Sequence, residues 1–396
     1  MKVIKDTILT INGGSSSIKF TIYELEKVLT QILSGSIENI NSQNSTFNFT
    51  NSKTKESINT PIEINDFEDA ANYLLDWLAL QVAFNAVNAV GHRIVHGMQH
   101  TSAEKISPEL LQELKQICAY DPEHLPGEIK LIEIFTKRYP AFIQVACFDT
   151  AFHSTMPHVA KLLPIPRKYF NMGIQRYGFH GLSYAYLMQE LQRMAGNETA
   201  NGKIILAHLG NGASIAAVKN GKCIDTSMGF TPTAGLIMGT RSGDLDPGVA
   251  WYLLQVEKLT PKEFNDLINY QSGLLGISAT TSDMKEIIKN KNTDTHAAEA
   301  FELFCYQAKK FIGAYTAALE GLDTLIFSGG IGEHSPAVRS QICDGLEFLG
   351  IELCEIKNMN NEGIISCATS KITVRVIKTN EELMIAKMVC NVLNIK

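Results

Sequence analysis

No stretch of this 396-residue chain is apolar for long enough to cross a bilayer. The opening run, Met1 to Thr10, has no signal-type apolar core, because Asp6 interrupts it. A cationic excess is missing too. The chain has 35 Lys and Arg against 41 Asp and Glu, a formal net charge of −6. That disfavours nucleic acid and anionic membranes as partners, since both rest on a cationic footprint. The eight cysteines include no C-x-x-C pair. Most sit among apolar neighbours, as in Val145-Ala146-Cys147-Phe148, so they read as reduced core thiols of a cytoplasmic protein. Neither G-x-x-x-x-G-K-[ST] nor a dinucleotide fingerprint occurs, so the chain is not a P-loop NTPase.

What is present reads as an ordinary globular protein, with 45% apolar and 19% charged residues. The length implies two domains. Strand and helix signals alternate, giving an α/β class. Residues 7–11 and 18–23 are apolar, β-branched strands joined by Asn12-Gly13-Gly14-Ser15-Ser16-Ser17, a hairpin with a Gly/Ser tip. A period-2 strand follows at 45–50, then a helical stripe at 67–84, a capped helix at Ser107-Pro108 and a strand at 142–148. The second half restarts the pattern, with strands at 203–208 and 215–218 around Asn211-Gly212-Ala213-Ser214. Two copies of one hairpin device suggest an internal duplication. Capping boxes are expected at Thr260–Glu263 and Thr379–Glu382, a long helix at 296–320, and strands at 324–327 and 372–377.

Three glycine-rich turns, 12–17, 208–214 and 328–334, could bring backbone N–H groups close to phosphate oxygens, or could be plain hairpin turns. Lys19, on the strand leaving the first turn, could meet a phosphate or be a solvated edge charge. His92, His96 and His100 have helical metal-ligand spacing, but Gly91, Gly97, Ile94 and Val95 favour a strand and turn. Arg93, inside an apolar strand, needs a buried anion, which is either a ligand or a structural partner. Asp149 ends a buried strand and is either a Mg²⁺-organising carboxylate or a turn cap. His180 lies between glycine-flanked apolar residues. Arg241 stands in a stretch dense in glycine and hydroxyls, Asp225–Pro232 and Gly235–Asp244, which has the character of an ordered active-site loop.

Ten segments in order carry a family resemblance: Asn12–Lys19, His92–Gly97, Phe148–His153, Arg176–Gly181, His208–Ser214, Asp225–Pro232, Met238–Asp244, Ser272–Ser278, Gly329–Glu333 and Thr379–Leu383. Nearly the whole chain resembles the acetate kinase (acetokinase) family, within the superfamily of sugar kinases, heat-shock chaperones and actin. The resemblance implies two duplicated ribonuclease-H-like (actin-like ATPase) domains with a central cleft, usually in a homodimer. Residues 1–150 with the C-terminal helix 380–396 would form one domain, and 151–379 the nucleotide-binding one. The implied reaction is reversible, Mg²⁺-dependent phosphoryl transfer from ATP to acetate, giving acetyl phosphate and ADP; Mn²⁺ can stand in for Mg²⁺. Propionate or butyrate kinases are the alternatives, and a non-enzymatic nucleotide-binding module is the remote one.

The resemblance also implies roles. Asp149, His180 and Arg241 would be catalytic. Arg93, Val95, His124, Phe179 and Pro232 would bind the carboxylic acid. Lys19, His208, Leu209, Gly210, Asn211 and Gly212 would bind ATP phosphates, while Asp283, Met284, Lys285, Gly330, Ile331, Gly332, Glu333 and His334 would line the adenosine pocket. Asn12 and Glu381 would hold the metal. Two positions depart from the family pattern: Glu123 stands where an apolar residue usually precedes His124, and His334 where asparagine is frequent.

Overall fold

The computed structural model describes residues 7–14, 16–40 and 44–395. Ser15 of the first glycine turn and the opening residues 1–6 lie outside the described residues. The chain divides into two compact units, one running through Ala151 and including Asn380 onward, the other Phe152–Thr379.

The first unit is built on a sheet of order β5-β4-β3-β2-β1-β6-β8-β7. Its centre is β1 (Thr7–Gly13), every residue of which is buried. β1 pairs antiparallel with β2 (Ser17–Glu24) and parallel with β6 (Val87–Ile94). β6 pairs parallel with β8 (Ile143–Phe148). The meander β3 (Thr30–Glu38), β4 (Thr46–Asn51) and β5 (Ser57–Pro61) extends one side, and β7 (Glu104–Lys105) closes the other. On β2, Ile18 and Phe20 are buried while Lys19 is exposed, as period-2 alternation requires. The helix Phe67–Ala79 lays Leu74, Leu75 and Leu78 on this sheet, and Trp77 packs against Phe47 and Phe49 with ring centroids 4.9 and 4.6 Å away.

That helix is shorter than the 67–84 stripe predicts. Leu80 and Val82 are 81% exposed, so the apolar stripe breaks there, and Phe84 returns to the core from a separate 3₁₀ turn at Val82–Ala86. The helix Pro108–Gln116 begins as expected, with the Ser107 hydroxyl accepting from Leu110 N–H at 3.2 Å.

The second unit repeats the plan. Its sheet has the order β11-β10-β9-β12-β13. β9 (Lys203–Leu209), β10 (Ala213–Lys219) and β11 (Lys222–Thr226) run antiparallel, and β12 (Thr324–Ser328) and β13 (Thr373–Val376) join parallel. Thus β11-β10-β9-β12-β13 matches β3-β2-β1-β6-β8 strand for strand, which is the duplication read from the two hairpins. The long helix is Thr295–Ala318, capped by Asp294. The Thr260–Glu263 capping box is formed.

The second expected capping box is not. The Thr379 hydroxyl bonds Ser183 and its N–H donates to Glu333, so the chain is still extended there. The C-terminal helix, Glu381–Leu393, is capped one residue later by Asn380, whose side chain accepts from Leu383 N–H. This helix lies on β6 at Gly91, where a Cβ would stand 2.5 Å from Ile385 and 2.6 Å from Val389. Only glycine permits that approach.

Candidate active site

In the first unit, β1, β6 and β8 run parallel, so their carboxyl ends share one edge. Asn12, Arg93 and Asp149 stand there. Arg93 Nη2 donates to Asp149 Oδ2 at 2.8 Å, and Asp149 is fully buried. Arg93 Nη1 lies 3.5 Å from both Asn12 Oδ1 and the Gly13 carbonyl. Asn12 Nδ2 donates to Glu381 Oε2 at 3.1 Å. Burial opposes the guanidinium charge, but the carboxylates of Asp149, Glu381 and Glu128 outweigh it and raise the Arg93 pKa. Arg93 Nε is buried with no hydrogen-bond partner among the described residues. A buried orphan donor on a cation points to an anionic ligand.

Lys19 is the cross-strand neighbour of Asn12 and is exposed. Val95 follows β6, and its N–H donates to both oxygens of Glu128 at 3.0 and 3.2 Å. His124 Nδ1 meets Asp121 Oδ1 at 3.0 Å, beside the helix Leu125–Arg138. Glu128 and Asp121 carry no sequence signal; a buried carboxylate at a helix start reads as an ordinary first-turn acid.

Asn12 and Glu381 offer hard oxygen ligands, with Glu382 3.5 Å from Asn12 Nδ2. One amide carbonyl and one or two carboxylates fit Mg²⁺, which keeps several waters and takes phosphate oxygens. They do not make an all-protein cage, and among the described residues no group of three or more His, Cys, Asp or Glu is placed to hold a metal. The histidine trio disperses accordingly. His92 packs edge-on to Phe135, and His100 pairs with Glu104 and Glu113.

Glu128 is 2% exposed, and burial raises its pKa well above the usual carboxylate range despite Arg93. The unfolded chain therefore releases this proton at a lower pH than the native one does. Stability should fall as pH rises from about 4.3 toward the folded pKa. Glu128→Gln removes that loss, so its melting temperature relative to wild type should climb between pH 5 and pH 8. A difference independent of pH would show that Glu128 is ionised in the native protein.

In the second unit, His180 has a left-handed backbone, φ 58°, at the start of the helix Gly181–Ala200. Its ring stacks on His208 at 4.4 Å between centroids. Phe179 is buried and its carbonyl accepts from His153 Nε2 at 2.9 Å. Arg241 Nη1 donates to the Pro232 carbonyl at 3.2 Å. The loop bearing Arg241 is pinned to the second hairpin, since Gly239 N–H donates to Asn211 O at 2.9 Å. A methyl group at Gly212 would stand 3.1 Å from His180 Nε2 and 3.8 Å from Arg241 Nη1. The Cβ side of Gly212 is therefore faced closely by an imidazole and a guanidinium together, a pair of donors suited to an oxyanion.

A cavity of about 560 Å³ lies beside it, in the range of small-molecule sites. Gly210 and Asn211 line one side, Asp283, Met284 and Lys285 another, and Gly330, Ile331 and His334 a third. The segment 328–334 is not a turn: residues Gly329–His334 form a short helix. His208, Leu209, Gly212, Gly332 and Glu333 are not on the cavity wall. Glu333 turns inward, where Oε1 accepts from Gly329 and Thr379 N–H at 3.0 Å each. Arg339, fully buried, donates to the Gly332 and Glu333 carbonyls at 2.8 and 3.1 Å and holds this helix from behind; burial lowers its pKa to about 10. Ser335, Pro336, Ala337, Ile288 and Met359 complete the wall. They are apolar or small residues with no glycine motif, which is why the sequence does not mark them.

A duplicated five-strand plan, with a nucleotide-sized cavity in one copy and beside it a glycine faced by an imidazole and a guanidinium, defines a nucleotide-binding protein of the actin-like ATPase fold. The chain belongs to the acetokinase family, whose model matches residues 7–387. It is 40% identical to the acetate kinase of Rhodopseudomonas palustris over 393 residues, 98% of each chain. It is 43% identical to that of Thermoanaerobacterium thermosaccharolyticum, covering 96% of this chain and 97% of the other. Among solved structures, Porphyromonas gingivalis acetate kinase is similar with TM-score 0.87 and 36% identity over 98% and 100% of the two chains. A propionate kinase from Francisella tularensis is similar with TM-score 0.90 and 36% identity over 97% and 98%. No helix among the described residues is long and apolar enough to cross a membrane.

Proposed function

We propose that this chain is a cytoplasmic, homodimeric kinase that moves the γ-phosphoryl group of ATP reversibly onto acetate, giving acetyl phosphate and ADP. The observation that carries the reading is the convergence of His180 Nε2 and Arg241 Nη1 on the Cβ side of Gly212. The 560 Å³ cavity takes the adenosine, and the hairpin His208–Gly212 cradles phosphates. Arg93 binds the carboxylate through donors that include its unpartnered Nε. Val95, His124, Phe179 and Pro232 contribute the remaining substrate contacts, and Lys19 meets ATP.

The acetate carboxylate is ionised at neutral pH, so no strong base is needed. Its oxygen attacks the γ-phosphorus, and the bond to the bridging oxygen breaks with its electron pair leaving on ADP. The obstacle is bringing an anion to a polyanion. Arg93, Arg241 and His180 address it by positioning and charge stabilisation. Mg²⁺ on Asn12 and Glu381, or Mn²⁺ in its place, neutralises phosphate charge when bound. Asp149 acts by holding the guanidinium of Arg93 rather than by carrying a proton.

A homodimer suits the helix Pro247–Gln255, which buries none of its residues and exposes Val249, Trp251 and Tyr252. A pure nucleotide switch is disfavoured, since it has no small anion to clamp. The decisive experiment traps acyl phosphate with hydroxylamine while acetate, propionate and butyrate are compared. Acetate should give the highest kcat/KM, each added methylene costing about 1–3 kcal/mol, and the active species should sediment as a dimer. ATP consumption that needs no added acid would refute the reading; a preference for propionate would move it to the neighbouring acid.

A further inference from the structure

Behind His180 lies a chain of hydroxyls to which no catalytic role has been given. His180 Nδ1 is 2.8 Å from Ser214 Oγ, and Ser214 Oγ is hydrogen-bonded in turn to the Tyr184 hydroxyl. Both Ser214 and Tyr184 are fully buried. Ser214, the second residue of β10, lies directly opposite His208 in the β9–β10 register. Tyr184 sits one turn along the helix that His180 begins, with its N–H on the His180 carbonyl at 3.0 Å. His208, stacked on His180, has a parallel relay of its own: Nδ1 to Ser183 Oγ and Ser183 Oγ to Thr379 Oγ1, each 2.8 Å.

We propose that Tyr184 and Ser214 are positioning residues that fix the tautomer of His180, so that its neutral ring presents an Nε2–H to the anion held over Gly212. The direction of the chain follows from acidity. A phenol donates more strongly than an aliphatic alcohol, so Tyr184 donates to Ser214 and the Ser214 hydroxyl proton is left to donate to Nδ1. Nδ1 then accepts, and the ring proton resides on Nε2. That is the nitrogen that faces Gly212 beside Arg241.

The surroundings favour a neutral donor. The titratable and charged groups near the ring include His208 on its face, Tyr184 behind Ser214 and Arg241 across Gly212, with His153 packed on Tyr184 at 5.6 Å. A guanidinium and a second imidazole both oppose a positive charge on His180. The hydroxyl chain supplies the donor without that charge. The proposal rests on the phosphotransferase reading, in which His180 meets the transferring group.

Two measurements test it. In ¹⁵N-histidine-labelled protein, long-range proton–nitrogen correlation should show His180 with a protonated Nε2 and a bare Nδ1; Ser214→Ala should shift it toward a tautomer mixture. In kinetics, Ser214→Ala should lower kcat at pH 8 by about tenfold, less than loss of a whole oxyanion donor, with KM for ATP nearly unchanged. The loss should be smaller at acid pH than at pH 8, because a protonated ring carries the Nε2–H whatever its tautomer. Tyr184→Phe, which keeps the packing, should show the same trend more weakly. A wild-type spectrum with the proton on Nδ1, or a Ser214→Ala loss equal at every pH, would overturn the proposal. If the wild type makes no acyl phosphate at all, the functional reading fails, and the spectrum still decides the tautomer.

Discussion

Replacing Arg241 with alanine should lower kcat by about 10²–10³ at saturating acetate and ATP, while the dissociation constant for ATP changes only a few-fold. Arg241 does not line the adenosine-sized cavity. Its Nη1 instead faces the Cβ side of Gly212 together with His180. The side chain is anchored by the Pro232 carbonyl. Its backbone is locked by Gly273, whose φ of +63° brings it so near the Arg241 carbonyl that a Cβ would stand 2.7 Å away. A donor held this firmly costs no reorganisation when charge shifts among the phosphoryl oxygens, so its effect belongs to the transition state. Arg241→Lys should recover little, because a point charge cannot reproduce the two-donor fork. A near-normal kcat with weakened ATP binding would make Arg241 a nucleotide-affinity residue instead.

The second large effect is on stability. Asp149→Ala should destabilise the first unit by about 3–5 kcal/mol, the usual penalty for stranding one charge of a buried pair. Asp149 is fully buried and Arg93 is 14% exposed, so solvent can do little for the cation left behind. Arg93→Ala should cost a comparable amount and also raise KM for acetate. The double variant should cost clearly less than the sum, since no unpaired charge remains. The chain has two tryptophans, Trp77 in the first unit and Trp251 in the second. Urea unfolding followed by fluorescence in a Trp251→Phe background therefore reports on the first unit through Trp77. Equal urea midpoints for wild type and Asp149→Ala would show that the pair contributes nothing net.

Much of the fold was readable because its signals are local. The hairpins at 12 and 211 announce themselves by β-branched runs around Asn-Gly, and the caps at Ser107 and Thr260 by residue type. The errors lie where a partner distant in sequence intervenes. Thr379 resembles a cap but its hydroxyl is held by Ser183, 196 residues away. Leu80 and Val82 continue a helical stripe on paper, yet no surface among the described residues covers them.

The candidate site divides the same way. Glycines, histidines and arginines that could face a ligand stand out in motifs. The groups that orient them do not: Asp121 and Glu128 look like surface acids, Ser214 like a hairpin residue, Tyr184 and Arg339 like ordinary helix positions. Their importance is a matter of burial and of who stands opposite, and neither is written in spacing. Glu333 shows the converse, a motif residue whose carboxylate closes the loop from inside rather than facing the cavity.

The chain's last helix lies on its first sheet, and this governs the order in which a ribosome can deliver a finished molecule. The second unit is continuous from Phe152 to Thr379, whereas the first needs Asn380 onward. Domains ordinarily fold as they emerge, amino-terminal first. Here the nascent first unit must wait with β6 bare at Gly91, the groove that Ile385 and Val389 later fill. Glu381, the partner of Asn12, arrives in the same closing segment. A polypeptide that stops before Glu381 thus lacks both the cover of its oldest strands and a proposed metal ligand, so such a truncation yields no half-working kinase.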